Sequence, residues 1–257
     1  MRCAYVTLLS TNSYYPGVVV MFESLKQTNP KYNEFVVVVN ETISEDIINK
    51  LERKGYIVLK RNKIDFSDIV TNNQFGYWIN TFDKLYIFEL TQYDKIIYLD
   101  SDLYIAKNID DLFDMPHLSG AISGKECYNE WDGINSGLMV IVPEEGILSK
   151  LLDVVKTHKF DKDIGDQDII NYYYDWPNQN LAISEKYNIF YNLVDYYVDK
   201  FHYDPDDLRG IHYIGSIKPW MYSSQDLNNK EFDLIKNARR HELYYLKKYR
   251  ELLNQVE

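Results

Sequence analysis

The feature that most constrains this chain is a repeated pairing of a short apolar run with a stretch whose apolar residues recur at helical spacing. Cys3 to Leu9 is followed by the loop "TNSYYPG", where Pro16 suits the first turn of a helix running to Leu25. "FVVVV" at Phe35 to Val39 precedes Ser44, an N-cap for a helix to Lys54 with Ile47, Ile48 and Leu51 on one face. "YIVL" at Tyr56 to Leu59 forms the next run, and a helix over Thr81 to Leu90, carrying Leu85, Phe88 and Glu89, leads into "DKIIYLDSD" at residues 94–102. Unbroken apolar runs of this length read as strands buried on both faces. Alternating with helices, they predict an α/β fold: a mostly parallel central mixed sheet flanked by helices, with right-handed crossovers.

Further along, "IDDLFDMP" reads as a short turn of helix, "AISG" and "LMVIV" as strands, and "EEGILSKLLDVVKTH" as an amphipathic helix. From Asn229 to Asn254, Phe232, Ile235, Leu243, Leu246, Tyr249 and Leu253 recur at near-helical spacing, so that helix either packs on the core or pairs two copies into a homodimer. No repeat, low-complexity tract or Gly/Ser linker divides the 257 residues, of which 46% are hydrophobic, and a single domain over 1–257 is expected. A net charge of −11 argues against nucleic acid as the partner, because phosphate backbones are bound by clustered Lys and Arg. An anionic small ligand would need a local cation. No run reaches the roughly 20 apolar residues that span a bilayer, and the first residues lack the pattern of a signal peptide. Cys3 and Cys127 fit no metal spacing, so reduced thiols and a cytoplasmic setting are expected.

Two carboxylates one residue apart, Asp100 and Asp102, end the strand of "DKIIYLDSD". Asp-x-Asp recurs at Asp161/Asp163, Asp166/Asp168 and Asp204/Asp206, but only the first pair ends a strongly apolar strand, where open α/β sheets bind ligands. In extended backbone, residues two apart share a side at roughly 6.6–7 Å, so both carboxylates could serve one hard divalent cation. "GIHYIGSIKPW" adds His212 and Lys218. An imidazole beside two carboxylates favours Mn2+ over Mg2+, and a flexible ammonium can meet a phosphate as a point charge. In "GDQDIINYYY", Asp166 reads as a helix cap as readily as a site residue. Asn135, Ser136 and Gly137 in "INSGLMVIV" read as a turn as readily as a binding loop. There is no dinucleotide G-x-G-x-x-G, no Walker P-loop and no G-x-S-x-G elbow.

Taken together, "TLLSTNSYYPGVVVMFESLKQ", "FDKLYIFELTQYDKIIYLDSDLYIAKNIDDLFD", "INSGLMVIV", "GDQDIIN" and "IHYIGSIKPWMY" resemble glycosyltransferase family 8, glycogenin-like members in particular, in order and at roughly the family's spacing. The resemblance implies a GT-A fold with a nucleotide-binding half over about 1–105, an acceptor half over about 106–225 and a C-terminal helix over about 229–254. It implies a UDP-sugar donor, Mn2+ and retention at the anomeric carbon. Asp100, Asp102 and His212 match the metal ligands, with Ser101 between the aspartates in the donor site. Leu8, Ser10 and Tyr14 match the loop that holds the uridine, and Lys84, Gly215 and Lys218 match residues near the diphosphate and leaving group. Asn135, Ser136, Asp163, Asp166 and Gln167 match those facing the donor sugar and reaction centre. Asp163, Gln167 and Lys84 are the expected catalytic set. Two positions depart from the family: Asp199 stands where glycogenin carries its self-glucosylated tyrosine, with Tyr196 and Tyr197 out of register, and Phe75 replaces a basic residue. The expectation is transfer of a hexose, glucose ahead of galactose, to a protein, glycan or small acceptor. The alternative is a UDP-sugar-binding protein without efficient transfer.

Overall fold

Alternate residues of the central strands face two different cores. The computed structural model describes residues 1–66, 76–125, 131–158, 160, 164–221 and 233–256; Phe75, Cys127 and Asp163 lie outside them. Strands β1 (Cys3–Leu9), β2 (Phe35–Asn40), β3 (Ile57–Arg61) and β4 (Lys95–Leu99) join β6 (Leu138–Ile141) in a five-stranded sheet of order β3-β2-β1-β4-β6. All neighbours are parallel except β4 and β6, which pair antiparallel with Leu99 opposite Leu138. Ala4, Val6, Val36, Val38 and Ile96 pack on one side with Phe82, Leu85 and Leu151. Tyr5, Val37, Val39, Ile97 and Leu99 pack on the other with Val18, Phe22 and Leu25 of α1 (Tyr15–Gln27) and Ile48 and Leu51 of α2 (Glu45–Arg53). The expected N-cap of α2 is present, Ser44 accepting from the Ile47 amide. The strand order reverses between β1 and β4, so their carboxyl ends open the crevice in which α/β sheets bind ligands.

A second sheet, β5-β8-β7, is built from β5 (Leu103–Ile105), β7 (Ile189–Phe190) and β8 (Gly210–His212). Leu103 pairs antiparallel with His212. Its core takes Tyr104, Ile211 and Tyr213 together with α5 (Val194–Phe201) and the C-terminal helix. That last region differs from the single helix expected from Asn229. A short α6 (Asp233–Lys236) is separated from α7 (Arg240–Val256), and the Asp195 carboxylate of α5 accepts from the His241 and Glu242 amides at the first turn of α7. Tyr245, Leu246, Tyr249, Leu252 and Leu253 of α7 are buried in this chain's own core, so core packing is the use the helix makes of its apolar face.

Two more expectations are corrected. Residues 76–89 wind as 3-10 turns rather than as an α-helix over Thr81–Leu90. Side chains three apart then eclipse one another, which sends Phe82, Leu85 and Phe88 into the core as one row and leaves Thr81 and Lys84 in another that lines a pocket. "AISG" (121–124) is not a strand: the isolated bridges nearby, to Met139 and Ala182, are made by Gly120 just before it. Its helices otherwise fall where the spacing put them, α3 over Ile147–Thr157 and α4 over Asp166–Tyr173.

Candidate active site

The two aspartates come together through a turn, which corrects the extended-strand geometry expected for them. β4 stops at Leu99, the Leu103 amide donates back to the Asp100 carbonyl at 3.2 Å, and β5 begins in the other sheet. Asp100 thus ends one sheet and Asp102 opens the next, with Ser101 buried between them. β8 pairs with β5 and brings in His212: one donor atom each from Asp100, Asp102 and His212 lies within 4.8 Å of the others. His212 Nε2 is 3.1 Å from Asp102 Oδ1 and 3.9 Å from Asp100 Oδ2. Gly137 makes this approach feasible, since a Cβ there would lie 2.4 Å from His212 Cε1.

Two lysines are threaded through the carboxylates. Lys84 Nζ sits 3.1 Å from Asp100 Oδ1 and 2.8 Å from Asp166 Oδ2, and it donates to Ser136 Oγ at 3.0 Å. Burial alone would favour the neutral amine, but Asp100 and Asp166 hold its pKa above the ordinary lysine range. Asp166 shows the converse balance: burial pushes its carboxyl up, Lys84 and hydrogen bonds from Thr81 and Ser136 pull it further down, and the carboxylate form persists. Its helix is not capped by Asp166, which is the first residue inside α4; Asp168 accepts from the Gly165 amide at 3.0 Å. Lys218 donates to Asp102 and to the Tyr213 carbonyl. Burial opposes ionisation of Asp102, yet the ammonium of Lys218 keeps its pKa well below the usual carboxylate range. Gly215, with φ +88°, supplies the left-handed turn between His212 and Lys218.

These groups share one pocket with Leu8 near the end of β1, with Ser10 and Tyr14 from the β1–α1 connection, and with Asn135, Ser136 and Gln167. Every described residue of the expected site therefore lies in a single cavity, and Asp163 falls outside the described residues. Sequence reasoning missed Tyr98, whose hydroxyl donates to Asp100 Oδ1 and whose ring lies 4.9 Å from Lys84 Nζ. It is two residues before Asp100, and a polar group at that spacing was the available signal. It also missed Thr11, Thr81, Phe190 and Ile214 in the lining, and Asn188, which no motif marks. The other acidic pair, Asp204 and Asp206, is a local turn in which the Asp206 amide donates to Asp204.

The donor set fits a divalent cation. His212 Nδ1 lies 2.8 Å from Asn188 Oδ1, and the Asn188 amide nitrogen is spent on Asn135 Oδ1, so the shared proton belongs to Nδ1. Nε2 is then the ring nitrogen left to act as a ligand, and with the two carboxylates it faces it forms a donor set of one nitrogen and two oxygens that suits such a cation.

The family model for glycosyl transferase family 8 matches residues 5–224. Human glycogenin-1 is 29% identical over 230 residues, 86% of this chain and 63% of glycogenin. Inositol phosphorylceramide glucuronosyltransferase 1 of Arabidopsis thaliana is 30% identical over 239 residues, 85% of this chain and 42% of that protein. Protein R707 of Acanthamoeba polyphaga mimivirus is 30% identical over 251 residues, covering 90% of this chain and 88% of its own. The chain thus spans about two fifths of the plant glucuronosyltransferases it matches. Among solved structures, the galactosyltransferase LgtC in complex with donor and acceptor sugar analogues superposes with a TM-score of 0.69 at 19% identity, covering 98% of this chain and 95% of LgtC. The fold is that of the GT-A glycosyltransferases, and the chain belongs to glycosyltransferase family 8, with the glycogenins among the relatives it resembles.

Proposed function

We propose that the chain is a retaining, Mn2+-dependent transferase that moves a hexose, glucose ahead of galactose, from a UDP-sugar to a protein, glycan or small-molecule acceptor in the cytoplasm. The observation that carries this reading is the convergence of Asp100, Asp102 and His212 with Lys84 and Lys218 in the pocket that Leu8, Ser10 and Tyr14 close on the β1 side. Leu8, Ser10 and Tyr14 hold the uridine, and Asp100, Ser101 and Asp102 face the diphosphate through the ion. When bound, the cation supplies positive charge against the phosphate oxygen that departs with UDP. Lys218, on the loop of Gly215, adds a second cation at that oxygen, and Lys84 holds Asp100 and Asp166 in register. No proton transfer to the leaving group is needed, because preorganised cations stabilise the charge as it develops. Asn135, Ser136, Asp166 and Gln167 bind the sugar, and Asp163 is the carboxylate proposed at the reaction centre.

A neutral hexose suits this pocket better than a uronic acid. Lys218 and His212 belong to the diphosphate and metal end, and among the described residues of the sugar side Lys84 already faces Asp100 and Asp166, with Asp168 adding a further carboxylate. Self-glucosylation at the family's position is not supported. Asp199 pairs with Arg239 at 2.6 Å, Tyr196 accepts from Lys200 at 2.7 Å, and Tyr197 is buried with its hydroxyl on Glu185.

The test is UDP release from a panel of UDP-sugars, with and without Mn2+, for the parent and Asp102→Ala. Release should require the metal, fall at least about 100-fold in the variant, and be fastest with UDP-glucose. Equal release without metal, or in Asp102→Ala, sinks the mechanism. Intact-mass spectrometry of the parent should show no added hexose.

A further inference from the structure

A directed chain of hydrogen bonds runs from His212 to the sugar side of the pocket, and two backbone amides fix its direction. The Gly137 amide donates to Asn135 Oδ1 at 3.1 Å, and the Ser136 amide donates to Gln167 Oε1 at 3.0 Å. A backbone N–H can only donate, so both of these side-chain atoms are oxygens. Asn135 must then turn its nitrogen to Gln167 Oε1, at 3.2 Å, while its oxygen also takes the Asn188 amide nitrogen at 2.8 Å. What is left of Asn188 is Oδ1, 2.8 Å from His212 Nδ1. Asn188 is fully buried, its backbone carbonyl accepts from Ser123 Oγ at 2.6 Å, and it does not line the pocket.

The two ends of this chain have different consequences. At one end His212 keeps a proton on Nδ1, which leaves Nε2 as the atom that can ligate a cation between the aspartates. At the other, the Gln167 carbonyl is occupied twice, and among the described residues nothing accepts from its amide N–H2.

We propose that Asn188 is a positioning residue: it aims His212 Nε2 at the metal position and, by donating to Asn135 Oδ1 alongside the Gly137 amide, reinforces the orientation in which Asn135 and the Ser136 amide make Gln167 face the donor sugar with N–H rather than with oxygen. Gln167 is then a hydrogen-bond donor to a sugar oxygen and not a nucleophile at the anomeric carbon. This rests on the reading of Gln167 as a sugar-facing residue given above.

Asn188→Leu and Asn188→Asp separate the two ends. Mn2+ affinity is read from the electron paramagnetic resonance signal of free Mn2+ with no sugar nucleotide present, and kcat and KM from UDP release. Asn188→Leu, which removes both contacts, should weaken Mn2+ binding about 10- to 100-fold. Asn188→Asp keeps an oxygen on His212 but sets a second one against Asn135 Oδ1, so the Asn135 amide turns over and pushes the Gln167 carbonyl away. It should bind Mn2+ at least as tightly as the parent and lose about 100-fold in kcat with KM little changed. Unchanged Mn2+ affinity in Asn188→Leu overturns the proposal, as does parallel loss of affinity and kcat in both variants, which marks a purely structural role. Should Asn188→Leu fail to fold by circular dichroism, Asn188→Ser carries the same comparison. If the parent releases no UDP from any donor, the transferase reading fails on its own, and the Mn2+ comparison still decides the role of Asn188.

Discussion

Lys84 is a buried cation whose partners are two carboxylates and a serine, and it is the main influence that holds the Asp166 carboxyl below its ordinary range. Removing one member of a buried ion network leaves its partners charged and desolvated, which costs about 3 to 5 kcal/mol. Lys84→Met should therefore lower the unfolding free energy in urea by about that amount. Lys84→Met combined with Asp166→Asn should recover part of it, because the second change removes the carboxylate left without a cation. A double variant as unstable as the sum of the two singles would show that the Lys84 and Asp166 side chains do not communicate. Asn188 and Tyr98 show why such residues escape a reading of the sequence. Each acts through another side chain, and only the folded neighbourhood tells a buried polar residue that positions a ligand from one that merely satisfies a turn.

At the scale of elements, the site depends on how closely α1 can approach the turn between the two sheets. A Cβ at Gly17 would lie 2.6 Å from the Ser101 carbonyl and 2.8 Å from the Trp220 ring, so the helix leans directly on the aspartate turn and on the segment after Lys218. Gly17→Ala should cost about 1 to 3 kcal/mol by overpacking and weaken Mn2+ binding, seen by thermal unfolding and by titration of the ion. An alanine variant with parental Mn2+ affinity would mean that α1 gives way without moving Ser101. The strands β1, β2 and β4 and the helices α2, α3 and α4 were legible because their apolar spacing and caps are local properties. The 3-10 winding of residues 76–89, the break before α7 and the convergence of Asp100 with Asp102 through a turn were not, because tertiary packing decides them. The pairing of His212 with the aspartates was suggested by residue chemistry and given a site by the family resemblance; in the fold it is set by β5 against β8, more than a hundred residues apart in sequence.

For the whole molecule, His117 ties acid stability to packing. Its Nδ1 accepts from the Val142 amide at 3.0 Å beside Phe88 and Tyr174, and burial, against the opposing pull of Glu144, pushes its pKa down to about 4 from 6.5. Above pH 6.5 neither folded nor unfolded chain holds that proton, and the contribution is flat. Between 6.5 and 4 the unfolded chain takes a proton that the native one refuses, so stability falls as the pH falls, by at most about 3 kcal/mol. Urea unfolding across this window should show the decline, and His117→Gln, which keeps an acceptor for Val142, should flatten it; an equally steep decline in the variant would assign the loss to other groups.

The turn from Asp100 to Asp102 has a last consequence, one of chain length. Two sheets are joined there by three residues, and the registers of Leu99 on Leu138 and of Leu103 on His212 are both fixed within one residue of it. A side chain in that segment can be exchanged, but a residue cannot be added or lost without carrying one aspartate out of reach of the histidine. An inserted residue should therefore be borne at an exposed connection such as Glu144–Glu145 and abolish the site at the join of the sheets.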